Sequence, residues 1–344
     1  MDNKRLGWID AMRGFSMVTI VMGHVILSMG IDVYDSVLSS LLHSFNLPLF
    51  FFVSGFFSYR AIDWWNKDRF ADNLKRKVQA LIICTLFFFS IYQILLGKGY
   101  VSFSNGFEGY WFTIALFQMW ILYLVSTGIS RLIKLNINYL LLLALSLVGI
   151  AIIVFFRRES SFWTILSWEN LSKYFQFFAL GIFSSGFKEG FYRLMKNNLY
   201  ATIVILGWIL CLILYYNETF RLSFPFAYSF IHDILIRYCA LLTVVLAFFR
   251  GSEYMEKSAC GKNLQLVGRR TLDIYMIHYF LLPHLKFLGP WLSIGNQFVM
   301  QFLISGIFTV IIVFLSLLIS KILRESRFLS AWLFGVKEKM SHAE

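Results

Sequence analysis

Two polar residues mark the first apolar run of this 344-residue chain, and their spacing limits what they can do. Arg13 stands where the run begins, in Trp8-Ile9-Asp10-Ala11-Met12-Arg13-Gly14, and His24 lies inside it. They are eleven residues apart. In an α-helix that is roughly three turns plus 20°, so both side chains leave one face. Along the axis it is roughly 16 Å, about half the hydrocarbon thickness of a bilayer. The pattern predicts an arginine at one membrane surface and a histidine near the midplane, along one groove. Lipid is a poor place for an imidazole unless it faces the protein interior and has a task. There it can act as a general base, or as a nucleophile that carries a group. The bland alternative is a snorkelling arginine and an interhelical hydrogen bond.

The elements that must position this pair are membrane helices. Hydrophobic residues make up 58% of the chain and charged residues 15%, with 38 Phe. The mean hydropathy is +0.68. A soluble domain cannot hide that much apolar surface. Ten apolar segments are read, at 13–30, 38–59, 78–97, 110–130, 138–156, 170–187, 199–216, 227–249, 265–285 and 296–321. The expected fold is all-α, a polytopic integral membrane protein with about ten transmembrane helices in a single domain, 1–344. The net charge of +12 would suggest nucleic acid in a soluble protein. Here Lys and Arg crowd the termini and the even-numbered loops, as the positive-inside rule requires. Both termini are therefore expected in the cytoplasm, with the lipid bilayer as partner and no nucleic acid. Cys84, Cys211, Cys239 and Cys260 show no paired spacing, so neither a disulfide framework nor a metal site is expected. The first run has no small-residue cleavage site, so no cleavable signal peptide is expected. Nothing resembles a phosphate-binding Gly loop or a nucleophile elbow.

Other polar residues interrupt the later segments. In segment two, Pro48 lies within His43-Ser44-Phe45-Asn46-Leu47-Pro48-Leu49-Phe50-Phe51-Phe52-Val53-Ser54-Gly55-Phe56-Phe57 and should kink the helix. Most of that Phe run reads as lipid-facing filler. Segment nine holds Arg270, Asp273, Tyr275 and His278; Arg270 and Asp273, three apart, are placed to pair on one face. Segment eight holds His232, Asp233 and Arg237, and Asp233 is the expected partner of Arg237. Each cluster suits either a packing network or a functional pocket. Tyr110, Trp111, Trp163 and Trp168 suit either a sugar platform or interfacial anchoring.

Several of these stretches resemble the membrane-bound acyltransferase-3 family. The likeness is carried by Trp8–Gly14, the Arg13 to His24 spacing, and Pro-Leu-Phe-Phe-Phe-Val-Ser-Gly-Phe at 48–56. It continues in Tyr110-Trp111-Phe112, in Phe178-Ala179-Leu180-Gly181, and in Val267-Gly268-Arg269-Arg270-Thr271-Leu272-Asp273-Ile274-Tyr275-Met276-Ile277-His278. The Trp-Ile-Asp opening is similar to the family's fucose-acetylase-like branch. There are two departures. Asn46 stands where members often have His in "Phe-His-x-Pro-Leu-Phe", with His43 one turn earlier, and Lys77-Val78-Gln79-Ala80 stands where many have Arg-x-x-Arg.

The resemblance implies an acyl-CoA-dependent O-acyltransferase of a bacterial inner (plasma) membrane. It implies acetyl-CoA as the donor substrate, no metal, and a sugar, glycan or other envelope hydroxyl as acceptor. Arg13 would orient the donor or the oxyanion, and His24 would be general base or transient acyl carrier. Coenzyme A carries phosphates and needs cations on the cytoplasmic side. Arg13, Arg69, Lys75, Arg76, Lys77 and Arg270 are the candidates for it. Asp10, Asn46, Ser54, Trp111, Arg237, Tyr275 and His278 are candidates for the acceptor or the oxyanion. The rival reading is a multi-span transporter or exporter without covalent chemistry, since charged residues within the membrane also mark substrate paths.

Overall fold

The computed structural model describes residues 6–32, 36–60, 67–95, 107–135, 137–155, 166–224, 228, 230–293, 297–326, 329–330 and 333. Among them every regular element is helical and there is no strand. The principal helices are α1 (Gly7–Ser28), α2 (Val37–Ser58), α3 (Lys67–Lys77), α4 (Cys84–Leu95), α5 (Trp111–Leu132), α6 (Asn138–Phe155) and α7 (Trp168–Gly186). They continue as α8 (Lys188–Lys196), α9 (Asn198–Tyr215), α10 (Ile236–Arg250), α11 (Ser252–Lys257), α12 (Ala259–Arg269), α13 (Thr271–Leu281) and α14 (Phe298–Glu325). A π-helical turn, Val78–Ile83, joins α3 to α4, and another, Ile231–Leu235, leads into α10. The expected loop at 60–77 is thus helical from Lys67 onward.

Among the described residues six helical runs are long and apolar enough to cross a membrane: α1, α2, Arg69–Leu95, Glu108–Leu132, α9 and α14. The other four expected segments are helical but shorter or more polar. Glu169 and Lys173 lie in the first turns of α7. Segment eight begins with His232 and Asp233 in its π-turn, and α10 itself has 15 residues. Segment nine, expected as one run from 265 to 285, is two 11-residue helices that meet at Arg270. There φ −116° and ψ 18° leave the helical region. Consecutive arginines suit a helix C-terminus, where the cations face the negative end of the dipole.

By compactness the chain forms two units. The first comprises Met1–Phe57, Leu180–Thr271 and Leu282–Val313; the second comprises Ser58–Ala179, Leu272–Leu281 and Phe314–Glu344. In the first unit α1 and α2 are the inner helices, each 67% buried over its apolar window. By contrast α9 is 17% buried and turns Leu199, Ile203, Leu206, Leu210 and Ile213 outward, as a lipid-facing helix does. Trp8 meets Phe249 edge-on at 5.6 Å, and Phe15 stacks on Phe45 at 5.8 Å. A Cβ on Gly181 would lie 2.0 Å from the Phe52 carbonyl oxygen, so glycine alone lets α7 meet α2 here. Phe50, Phe51 and Phe52 are buried in this unit, which corrects the lipid-filler reading of that run.

In the second unit a tyrosine cluster fastens α13 to the start of α5. The Tyr110 hydroxyl donates to the Met276 carbonyl at 3.0 Å, and Tyr275 and Tyr279 donate to the Gly109 carbonyl at 2.6 and 3.0 Å. Thr85 of α4 and Thr113 of α5 share a hydrogen bond of 2.6 Å, which satisfies two buried hydroxyls between apolar helices.

Candidate active site

Within the first unit the residues of two sequence motifs meet. Arg13 and His24 of α1 are both half-buried. The Arg13 guanidinium carbon lies 5.8 Å from the centre of the Phe50 ring and 5.9 Å from that of Phe57. Phe50 and Phe57 are seven residues apart on α2, two turns of one face, so they cradle one cation between them. Both rings pack on the arginine where the apolar run of α1 begins.

Deeper along α1 the contacts with α2 are polar. The Ser16 hydroxyl donates to the Asn46 backbone carbonyl at 2.8 Å. The Asn46 carboxamide is buried; its oxygen accepts from Leu47 N at 2.7 Å. A Cβ built on Gly23 would lie 3.7 Å from Asn46 Nδ2 and 3.4 Å from His43 Cε1. The residue before His24 is therefore packed against both Asn46 and His43. Ser54 is half-buried on the same helix.

The base of α1 is locked to α12. A Cβ on Gly14 would lie 1.9 Å from the Leu264 carbonyl oxygen, and one on Gly268 would lie 1.9 Å from that of Asp10. Asp10 is fully buried at this crossing, with Oδ2 3.7 Å from Arg269 Nε. The structure thus gives Asp10 a place at the helix crossing beside an arginine. Arg270 is half-buried at the break after α12. Arg237 is buried in the first turn of α10, after the π-turn. The side chains of His232 and Asp233, and so the expected Asp233 to Arg237 pair, lie outside the described residues.

The second unit carries the remaining candidates. Arg69, Lys75 and Arg76 are exposed on α3, where Arg76 Nη2 donates to Asn73 Oδ1 at 3.0 Å. The Lys77 ammonium lies 5.9 Å from the Trp120 ring centre. Trp111 is half-buried and stacked on Tyr174 at 6.0 Å. The Tyr275 hydroxyl, expected as an oxyanion donor, gives its proton to Gly109 O and accepts from Phe112 N at 3.3 Å. It serves the α13 to α5 joint in this structure. His278 is fully buried, with Nδ1 2.8 Å from the Tyr275 carbonyl oxygen. A carbonyl only accepts, so Nδ1 carries the hydrogen and the neutral ring keeps its lone pair on Nε2.

Asp273 of α13 is held by α14. Its carboxylate takes a two-pronged grip from Arg324, Nε to Oδ2 at 2.7 Å and Nη2 to Oδ1 at 2.8 Å, and a hydrogen bond from Ser320. The planar fork of Arg324 matches both carboxylate oxygens, and α14 delivers it next to α13. Sequence reading missed Arg324 because it stands 51 residues away. Among the described residues no group of three or more His, Cys, Asp or Glu is placed to hold a metal ion.

A family model described as an acyltransferase domain matches residues 6–320. The chain belongs to the acyltransferase-3 family. No curated protein matches it, and no solved structure does. The match takes in Arg13, His24, Asn46, Asp273 and His278 and ends at the serine that donates to Asp273. In this membrane acyltransferase the Asp273 to Arg324 grip is a test of architecture. Arg324→Met should take both prongs of the grip from a nearly inaccessible carboxylate and destabilise the protein by ~3–5 kcal/mol. Adding Asp273→Leu should recover most of that loss. Midpoints of denaturant unfolding in mixed micelles measure both, and a silent Arg324→Met would remove the grip from the list of holding interactions.

Proposed function

We propose that the protein is an O-acyltransferase that moves an acyl group, acetyl first among them, from cytoplasmic acyl-CoA to a hydroxyl of a sugar or other cell-envelope acceptor. Membership of the acyltransferase-3 family supports acyl transfer in general. The observation that carries the finer reading is the α1 face that Arg13 and His24 share, with Arg13 packed between Phe50 and Phe57. We place the protein in a bacterial inner membrane with both termini in the cytoplasm, on the Lys and Arg bias of the loops. The donor then meets Arg13 first.

The chemistry follows from the residue types. A hydroxyl that attacks a thioester must lose its proton, and the carbonyl oxygen gathers negative charge on the way. His24 takes the proton or takes the acyl group. Arg13 offers a fixed cation with forked donors to a phosphate or to the thioester end. The exposed Arg69, Lys75 and Arg76 and the half-buried Arg270 are further cations for the phosphates. Ser54, Asn46, Trp111, Arg237, Tyr275 and His278 remain candidates for the acceptor side, as does Asp10.

The test is release of free CoA by the purified protein given acetyl-CoA and membranes of the producing cells, with calorimetry of donor binding. Arg13→Lys keeps the charge and loses the fork, so acetyl-CoA affinity should fall about ten- to a hundredfold, or roughly 1.5–3 kcal/mol. Absence of CoA release would favour a transporter without covalent chemistry. Unchanged affinity in both Arg13→Lys and Arg13→Ala would remove Arg13 from the donor site.

A further inference from the structure

The two roles open to His24 make different demands on its surroundings. As a base it needs no second imidazole. As an acyl carrier its nitrogen is occupied by the acyl group when the acceptor arrives, and another group must take the acceptor's proton. On α1 and α2 together the groups able to accept a proton near neutral pH are Asp10, His24 and His43. Asp10 stands fourteen residues from His24, roughly 21 Å along the helix, and is buried beside Arg269. Asn46 is a carboxamide and cannot serve. Of these three groups, it is His43 whose ring packs against Gly23, the residue before His24.

Its ring is held for that use. A Cβ on Gly23 would touch His43 Cε1 at 3.4 Å and lie 3.9 Å from Nε2, so the ring packs against the residue that precedes His24. Gly23 is about 100° around α1 from His24, which sets His43 at the flank of the groove face. His43 Nδ1 lies 2.8 Å from the Ser39 carbonyl oxygen. The carbonyl accepts, so Nδ1 carries the hydrogen and Nε2 of the neutral ring bears the lone pair. That nitrogen is the one on the Gly23 side.

We infer that His24 is the acyl carrier and His43 the base that serves the second half of the reaction, an inference that rests on the acyl-transfer reading above. In the first half a His24 nitrogen attacks the thioester carbonyl. The C–N bond forms, the C–S bond breaks, and the proton that His24 gives up leaves with the thiol. In the second half the acceptor oxygen attacks the acyl-imidazole and the C–N bond breaks. The hydroxyl proton goes to His43 Nε2 and returns to the nitrogen that His24 regains. Thioester and alcohol become thiol and ester, with no electrons gained or lost.

The experiment uses full-length protein in proteoliposomes made from membranes of producing cells, which hold the native acceptor, with radiolabelled acetyl-CoA. His43→Asn keeps an amide N–H for the Ser39 carbonyl and removes the base. It should release about one CoA per chain in a burst, accumulate label on His24 by peptide mass spectrometry, and pass label to extractable acceptor at least ~100-fold more slowly. His24→Ala should take no label. Adding Asn46→His to His43→Asn should restore part of the transfer, because Asn46 Nδ2 lies 3.7 Å from the same Gly23 position. That rescue also answers for folding, since a variant that regains transfer is folded. Wild-type transfer by His43→Asn overturns the inference, and so does a folded His43→Asn that takes no label. If the wild-type chain neither releases CoA nor transfers label, the acyl-transfer reading itself has failed.

Discussion

His24→Ala should abolish acyl transfer and leave a folded membrane protein. The imidazole is half-buried on a helix whose neighbouring positions, Met22, Gly23, Val25 and Ile26, are buried. Its removal takes away at most a hydrogen bond, roughly 0.5–1.5 kcal/mol of stability. The chemical loss is far larger. A general base alone contributes roughly 10²- to 10⁴-fold, and loss of a covalent carrier closes the route altogether. The measurement pairs the rate of CoA release with the unfolding midpoint in micelles. A folded His24→Ala protein that still transfers acyl groups at a hundredth of the wild-type rate or better would exclude both roles. His24→Gln, which keeps a polar group of similar size, should be equally inactive if proton or acyl transfer is what His24 supplies.

How far these sites were legible in the sequence differs from residue to residue. The Arg13 to His24 face needs only the period of one helix, and α1 keeps both on it. Hydropathy placed the start of that helix near residue 13, whereas it begins at Gly7, because Asp10 counts against an apolar window and the structure sets it beside Arg269. The partner of Asp273 was not legible: helix periodicity reports neighbours three or four residues away, and Arg324 comes from α14. The Phe run looked like lipid filler because an apolar residue reads alike in lipid and in a core. Only the packing of α1 and α7 against α2 separates the two. His43 stood in view but apart from the motif position that Asn46 holds, and its use depends on which side of α1 faces α2. That is a property of helix packing, and Gly23 reveals it.

Alanine at Gly14 or at Gly268 should force α1 and α12 apart at their crossing. The two glycines face each other where α1 crosses α12. The new Cβ on Gly14 would meet Leu264 O at 1.9 Å and Gly268 N at 3.0 Å; that on Gly268 would meet Asp10 O at 1.9 Å and Gly14 N at 3.1 Å. These are backbone atoms within helices, so no rotamer change relieves the contact, and the helices must separate. Small residues at such crossings let backbones approach and let Cα–H groups point at carbonyl oxygens. Separation forfeits that packing and moves Asp10 from Arg269, so each substitution should cost at least the ~1–3 kcal/mol of an overpacked core. The double variant should be markedly less than additive, because helices already held apart by one methyl have room for the second. Gly128→Ala on α5 is the control: nothing stands within 4 Å of its Cβ position, and its stability should be unchanged. Unfolding midpoints of the four proteins in mixed micelles decide the matter. Additive losses from Gly14→Ala and Gly268→Ala would mean that the two glycines do not share one crossing.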